Sequence, residues 1–252
     1  MTRRLAATLA LLLASAPGGA AAAAGSGTAA GETVPFVGCA SDGQTGPNPA
    51  PTAGMVPSPV SAAAAQQLAY YASYDLGILA PRGWNCFSVS GSSGSTLVVT
   101  PERLAYEDIA ARGEGRPGAG VVISVSFGGT SGRFGVADAI ARVFPTQRAF
   151  AERVVSQGLM DELPTGPYPD DWLRWRNSME VEYLTPAGAM GLGTVGTLAP
   201  SREPVRGLLF LTSSDEMDLV KVSVRLPSAQ SYFTDEILET ARRTRGASGA
   251  AR

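Results

Sequence analysis

"RGLLFLTSSDEMDLVKVSVRL", Arg206 to Leu226, carries two different strand signatures in succession. The first part, "RGLLFLTS" (206–213), is a nearly continuous apolar run of strand length, as expected of a strand covered on both faces. The last part, "LVKVSVRL" (219–226), alternates instead. Val220, Val222, Val224 and Leu226 fall on one side, and Lys221, Ser223 and Arg225 on the other. The same alternation recurs in "VVISVSF" (121–127) and in "SMEVEYL" (178–184), where Val181 and Tyr183 oppose Glu180 and Glu182. Repeated alternation of this kind points to an antiparallel sheet with one wetter face, not to a parallel doubly wound sheet.

Further strands read from "LGIL" (76–79), "WNCFSV" (84–89) and "STLVVT" (95–100), and the turn "SGSSGS" joins the last two as a hairpin. Three helical stretches accompany them. "SAAAAQQLAYYAS" offers Ser61 as N-cap and places Ala64, Leu68 and Tyr71 on one face. "RFGVADAIARVFPTQRAFAERVVSQ" is broken at Pro145, and "AQSYFTDEILETARRT" gathers Phe233, Ile237, Leu238 and Ala241 on one face. The expected fold is α+β: an antiparallel sheet packed by helices as an α/β/α sandwich, forming one domain over residues 61–243 with a disordered tail at 244–252.

The beginning of the chain reads differently. "MTRRLAATLALLLASA" has a short cationic start and an apolar core followed by small residues, the pattern of a secretory signal peptide over residues 1–24. No later stretch approaches the roughly 18 apolar residues that a membrane helix needs. Residues 25–60 are rich in Gly, Pro, Ala and Ser, a composition expected to form an extended, partly disordered arm. The expected location is therefore outside the cytoplasm, in the periplasm or the extracellular space. There the only two cysteines, Cys39 and Cys86, favour a disulfide that pins the arm to the body. The rival reading of "FVGC" (36–39) is a lipid-anchoring cysteine, although Glu32 and Pro35 separate it from the apolar core.

Net charge is −2 with basic residues scattered, so neither a nucleic-acid patch nor a cationic amphipathic helix is expected. Lys221 is the only lysine beside nineteen arginines. There is no histidine, which excludes a Ser-His-Asp triad, a Cys-His pair and any histidine-ligated metal. "GLGTVG" (191–196) matches the dinucleotide-loop pattern, but Pro186 and Gly188 break a strand before it, and Pro200 and Pro204 prevent a helix after it. It is expected to be a flexible Gly-rich hairpin or edge strand with no cofactor. "GSSGS" (91–95) departs from the hydrolase elbow because Ser95 stands where Gly is required.

Glu180 and Glu182, two apart on a strand, would lie about 7 Å apart on one face, within reach of a two-carboxylate hydrolase, or would pair across strands with Lys221 or Arg225. The pairs Asp161/Glu162 and Asp170/Asp171 and the group Asp215/Glu216/Asp218 lack the spacing of a calcium loop, so no metal is expected. "PYPDDWLRWRNS" (167–178) concentrates Tyr168, Trp172, Arg174, Trp175 and Arg176, the chemistry of a contact surface for sugar or protein. Alternatively, Trp172 and Trp175, three apart, form one helical turn packed on the core.

"VGCASDGQTGP" (37–47) and "LAPRGWNCFSVSGSSGSTLVVTP" (79–101), and more weakly "LVKVSVRLP" (219–227), resemble a group of exported bacterial proteins of unknown function. That resemblance implies pairing of Cys39 with Cys86 and carries no activity. The order of a P-x-G-W turn, strands, paired helices, strands and a C-terminal helix is similar to the PsbP/Mog1-like fold, which serves mostly non-catalytic binding. The expected function is a non-catalytic binding or assembly module of the cell envelope, with an envelope protein or a glycan as partner. The alternative is a carboxylate-based hydrolase of glycans or cell-wall material using Glu180 and Glu182.

Overall fold

The computed structural model describes residues 32–110, 115–158, 162–212 and 215–249. The leader-like residues 1–24, arm residues 25–31, Asp161 and tail residues 250–252 lie outside the described residues.

Two sheets organise the chain. Strands β6 (Asn85–Gly91), β7 (Gly94–Thr100) and β8 (Gly120–Ser126) run antiparallel in sequence order. Strands β9 (Trp172–Asn177), β10 (Glu180–Thr185), β11 (Val205–Leu211) and β12 (Leu219–Arg225) form a second antiparallel run, which joins the first through β12 against β8. A short β2 (Ser41–Gly43) adds to β6 in parallel, so the eight-stranded order is β2-β6-β7-β8-β12-β11-β10-β9. The smaller sheet has the order β3-β1-β4-β5, from β1 (Glu32–Gly38), β3 (Met55–Ser58), β4 (Leu68–Ala72) and β5 (Gly77–Pro81).

Both faces of the large sheet are covered. On one face, Leu97, Val99, Val121, Leu208, Phe210 and Val222 pack against the small sheet and against the C-terminal helix α5 (Thr234–Gly249). On the other, Val98, Val122, Val181, Leu209 and Leu211 meet α3 (Arg133–Val143) and α4 (Arg148–Ser156), numbered after α1 (Ala62–Gln67) and α2 (Tyr106–Ala110). The helix break expected at Pro145 is present as a 3-10 turn over Pro145–Gln147. The architecture is thus α+β and mostly antiparallel, with a second sheet taking much of the place expected for helices.

Four expectations need correction. Residues 32–58 are not a loose arm: β1 lies between β3 and β4, Val34 is fully buried, and the Cys39 amide donates to the Ala72 carbonyl at 2.8 Å. Strand pairing satisfies the backbone that composition alone would leave in water. The helix from Ser61 stops at Gln67, although Ser61 caps it as expected, and Leu68–Ala72 is drawn into β4 by pairing with β1 and β5. No wetter face exists on β12, because Ser223 and Arg225 are buried with their neighbours. At the other end, α5 continues to Gly249 where a tail was expected from residue 244.

The disulfide joins Cys39 to Cys86 with a Cα–Cα distance of 5.3 Å. It links the end of β1 in the small sheet to β6 in the large one. Closing this loop removes freedom from the unfolded chain worth about 4 kcal/mol in the chain-entropy treatment. Replacing both cysteines by serine is expected to lower the unfolding free energy by about 2–4 kcal/mol, read from the urea midpoint of the oxidised chain and the variant.

Candidate functional site

The paired carboxylates sit on β10 and face α5. Register decides this: Glu180 and Glu182 lie opposite Phe210 and Leu208 of β11, which in turn lie opposite Val220 and Val222 of β12. Lys221 and Arg225, one residue out of phase, project to the other side of the sheet. The expected cross-strand partners are therefore unreachable, and arginines from two other elements take their place. Arg242 of α5 bonds Glu180 through Nε at 2.6 Å and also holds Glu182 and Glu239. Glu182 receives Arg176 at 2.7 Å and Arg174 at 3.8 Å, both from β9. Burial pushes the Glu182 carboxyl up, but the hydrogen bonds and charges of Arg176 and Arg242 outweigh it and hold it below the ordinary glutamate value. A general acid requires the opposite shift. The cluster fastens the C-terminal helix to the edge of the sheet.

"GLGTVG" is a fixed turn. One of its amides holds a carboxyl group of this same chain, and a second holds the threonine beside it. The Leu192 amide donates to Asp171 Oδ2 at 2.7 Å, and the Gly193 amide donates to Thr185 Oγ1 at 2.9 Å. The Thr185 hydroxyl in turn donates to Asp171 Oδ1 at 2.5 Å. The glycines are needed for this approach. A Cβ at Gly191 would lie 2.1 Å from Asp171 Oδ1, and one at Gly193 would lie 2.5 Å from the Val205 side chain. The flexible hairpin or edge strand expected here is corrected: Leu192 and Thr194 are buried, and the loop closes over Asp171. Amide groups that would cradle a phosphate are already occupied. Among the described residues, no three acidic or cysteine side chains converge on a metal-sized site.

Beside this turn, the polar face of β12 lies under loops. The Tyr183 hydroxyl donates to the Val222 carbonyl at 2.9 Å and lies 2.7 Å from Ser223 Oγ, crossing β11 where Gly207 leaves room for the ring. Arg225 is only 1 % exposed. Its Nη1 donates to the carbonyls of Arg116, Pro117 and Gly118 at 3.1–3.2 Å, and its Nη2 to that of Ala199. It thereby ties two loops that also pair through Arg116 and Leu198. Those loops border an open hollow of about 570 Å³ lined by Pro117, Met190, Thr194, Val195 and Pro200. Lys221 donates to the Val195 carbonyl at 3.0 Å. Lys221 as a whole is half-buried, and burial lowers its pKa to about 8 against the opposing pull of Asp171 and Asp138.

The Trp/Arg segment is β9, the last strand of the large sheet. The helical turn weighed for Trp172 and Trp175 is corrected: the segment is extended and exposed, with Trp172 at 73 % and Trp175 at 51 %. Strand register also separates the two indoles. Trp172 and Arg174 lie opposite Leu184 and Glu182, while Trp175 lies opposite Val181 on the α3 side. There the Trp175 Nε1–H donates at 2.7 Å to the carbonyl of Val143, in the last turn of α3. Tyr168 precedes the strand and is half-buried, with the Arg142 guanidinium 4.1 Å above its ring. The signal that could have revealed the strand is Trp172, Arg174 and Arg176 at period two, bounded by Pro169 and by Asn177-Ser178. The i,i+3 spacing of the tryptophans masks it.

Two outcomes follow. Asp171→Ala orphans the Leu192 amide and the Thr185 hydroxyl and is expected to cost about 2–4 kcal/mol in urea unfolding. For Lys221, the folded pKa lies below the unfolded one. The cost of burying the charge is therefore fully present below pH 8 and is relieved as pH rises toward 10.5. Unfolding free energy of the native chain relative to Lys221→Met is expected to rise by about 1–2 kcal/mol across that window, discounted for the partial exposure of the residue.

Against this geometry, comparison with known proteins yields no matching family, no matching curated protein and no matching solved structure.

Proposed function

We propose that the chain is an exported, non-catalytic binding or assembly module of the bacterial cell envelope, and that β9 is its contact strand. The observation that carries this reading is the exposure of two indoles, flanked by Arg174 and Arg176, along the outer strand of the large sheet. Exposed large aromatics beside arginine are the residue types that dominate binding energy at protein contacts. The Cys39–Cys86 disulfide supports an oxidising compartment. No helix among the described residues is long and apolar enough to cross a membrane. The chemistry elsewhere supports binding over turnover. The chain has no histidine, and the carboxylates of Glu180 and Glu182 are paired with arginines.

The test is site-specific photo-crosslinking from position 172 in the native envelope, repeated with Trp175→Ala and with Arg174→Ala. One discrete protein adduct that weakens about ten-fold in each variant is expected, the loss typical of a central contact residue. Adducts that are diffuse, or indifferent to both substitutions, would remove β9 from the function. A glycan adduct of the same sensitivity would change the partner class.

A further inference from the structure

We infer that β9 receives its partner as an added strand: an extended, antiparallel segment that alternates carboxylate and aliphatic side chains. The inference rests on β9 being the contact strand, and it specifies the chemistry of what docks there.

Among the described residues, the backbone of β9 pairs with β10 alone. Its outer row of amides and carbonyls faces away from the sheet over six residues, a span of roughly 20 Å, with one bulge at Arg176 where the pairing to β10 shifts register. The other edges are shorter or covered. At the opposite end of the large sheet, β2 has three residues and is capped by exchange of backbone bonds between Ser41 and Asn48. In the small sheet, β5 is almost wholly buried and β3 has four residues.

The inner neighbour shows what chemistry β9 accepts. From β10, Glu182 stands opposite Arg174, Val181 opposite Trp175 and Leu184 opposite Trp172. A strand on the outer side meets the same side chains from the other flank. The Arg174 side chain is 68 % exposed and touches Glu182 only at 3.8 Å, so it retains donors for a second carboxylate. An aliphatic residue one step along would lie against an indole. Polarity adds a direction. Arg174 and Arg176 occupy the second half of β9, and exposed Asp170 lies just before it. An antiparallel partner therefore carries its carboxylates first and a cationic residue at its end.

A second copy of this chain fits poorly. Pairing β9 with itself about its middle sets Arg174 opposite Arg174, or Arg174 opposite Arg176, and like charges directly opposite one another are unfavourable.

The experiment uses the oxidised full chain and a fluorescein-labelled probe peptide of alternating glutamate and valine that ends in lysine. Binding is read by anisotropy at low and moderate salt. Saturable binding is expected, weakened at least ten-fold when alternate peptide amides are N-methylated. Binding is also expected to be lost in Arg174→Glu/Arg176→Glu and recovered by that variant with a peptide in which lysine replaces glutamate. Recovery shows that the variant is folded. Equal binding of the plain and N-methylated peptides would overturn strand addition. Absence of binding by the plain peptide, with the crosslink from position 172 still sensitive to Arg174→Ala, would overturn this inference while leaving β9 as the contact strand. An insensitive crosslink would instead defeat the functional reading beneath it.

Discussion

Leu208 and Phe210 leave β11 on one side, Leu209 and Leu211 on the other, and none of the four is more than 1 % exposed. A strand that is apolar on both faces cannot lie at a surface, so the large sheet requires a layer above and a layer below. Among the described residues, α3 and α4 pack on one face and α5 on the other, and neither layer is made of helices alone. The layer on the α5 side is completed by the small sheet, which recruits the Gly- and Pro-rich residues before α1 into strands. The layer on the α3 side is completed by loops, and those loops run over the polar side of β12.

That second solution explains the unusual handling of charge. Arg225 and Asp171 are held by backbone dipoles: four carbonyls surround the one, and an amide with a threonine hydroxyl holds the other. A charge as buried as that of Arg225 is costly when deprived of such partners, so these bonds tie the loops to the strands beneath them. The glycines at 191 and 193 let the backbone come close enough for this. The motif's physics is that of anion capture, with a carboxylate of the same chain as the captured group.

Elements set by local pattern were readable from the sequence. The turn at 90–95 defines the β6–β7 hairpin, Pro145 breaks the helix pair, and the two-sided apolar run of β11 announced its double cover. Elements set by distant partners were not. Leu68–Ala72 has helical spacing but lies between two strands, and β1 gains its hydrogen bonds from residues some twenty to forty positions later. The candidate site divides in the same way. Adjacent carboxylates at 180 and 182 were visible, but their main clamp, Arg242, arrives from 62 residues beyond Glu180. The Trp/Arg composition of β9 stood out at once. Its extended form did not, because edge position is a property of the finished sheet.

The place of β1 has a consequence for resistance to cleavage. It lies inside the small sheet, with β3 on one flank and β4 on the other, and the cystine follows directly. A protease cutting within β1 would excise an interior stave, leaving β3 without a neighbour and exposing the pairing edge of β4. The small sheet thus depends on a strand that precedes the cystine in sequence and is held from both flanks.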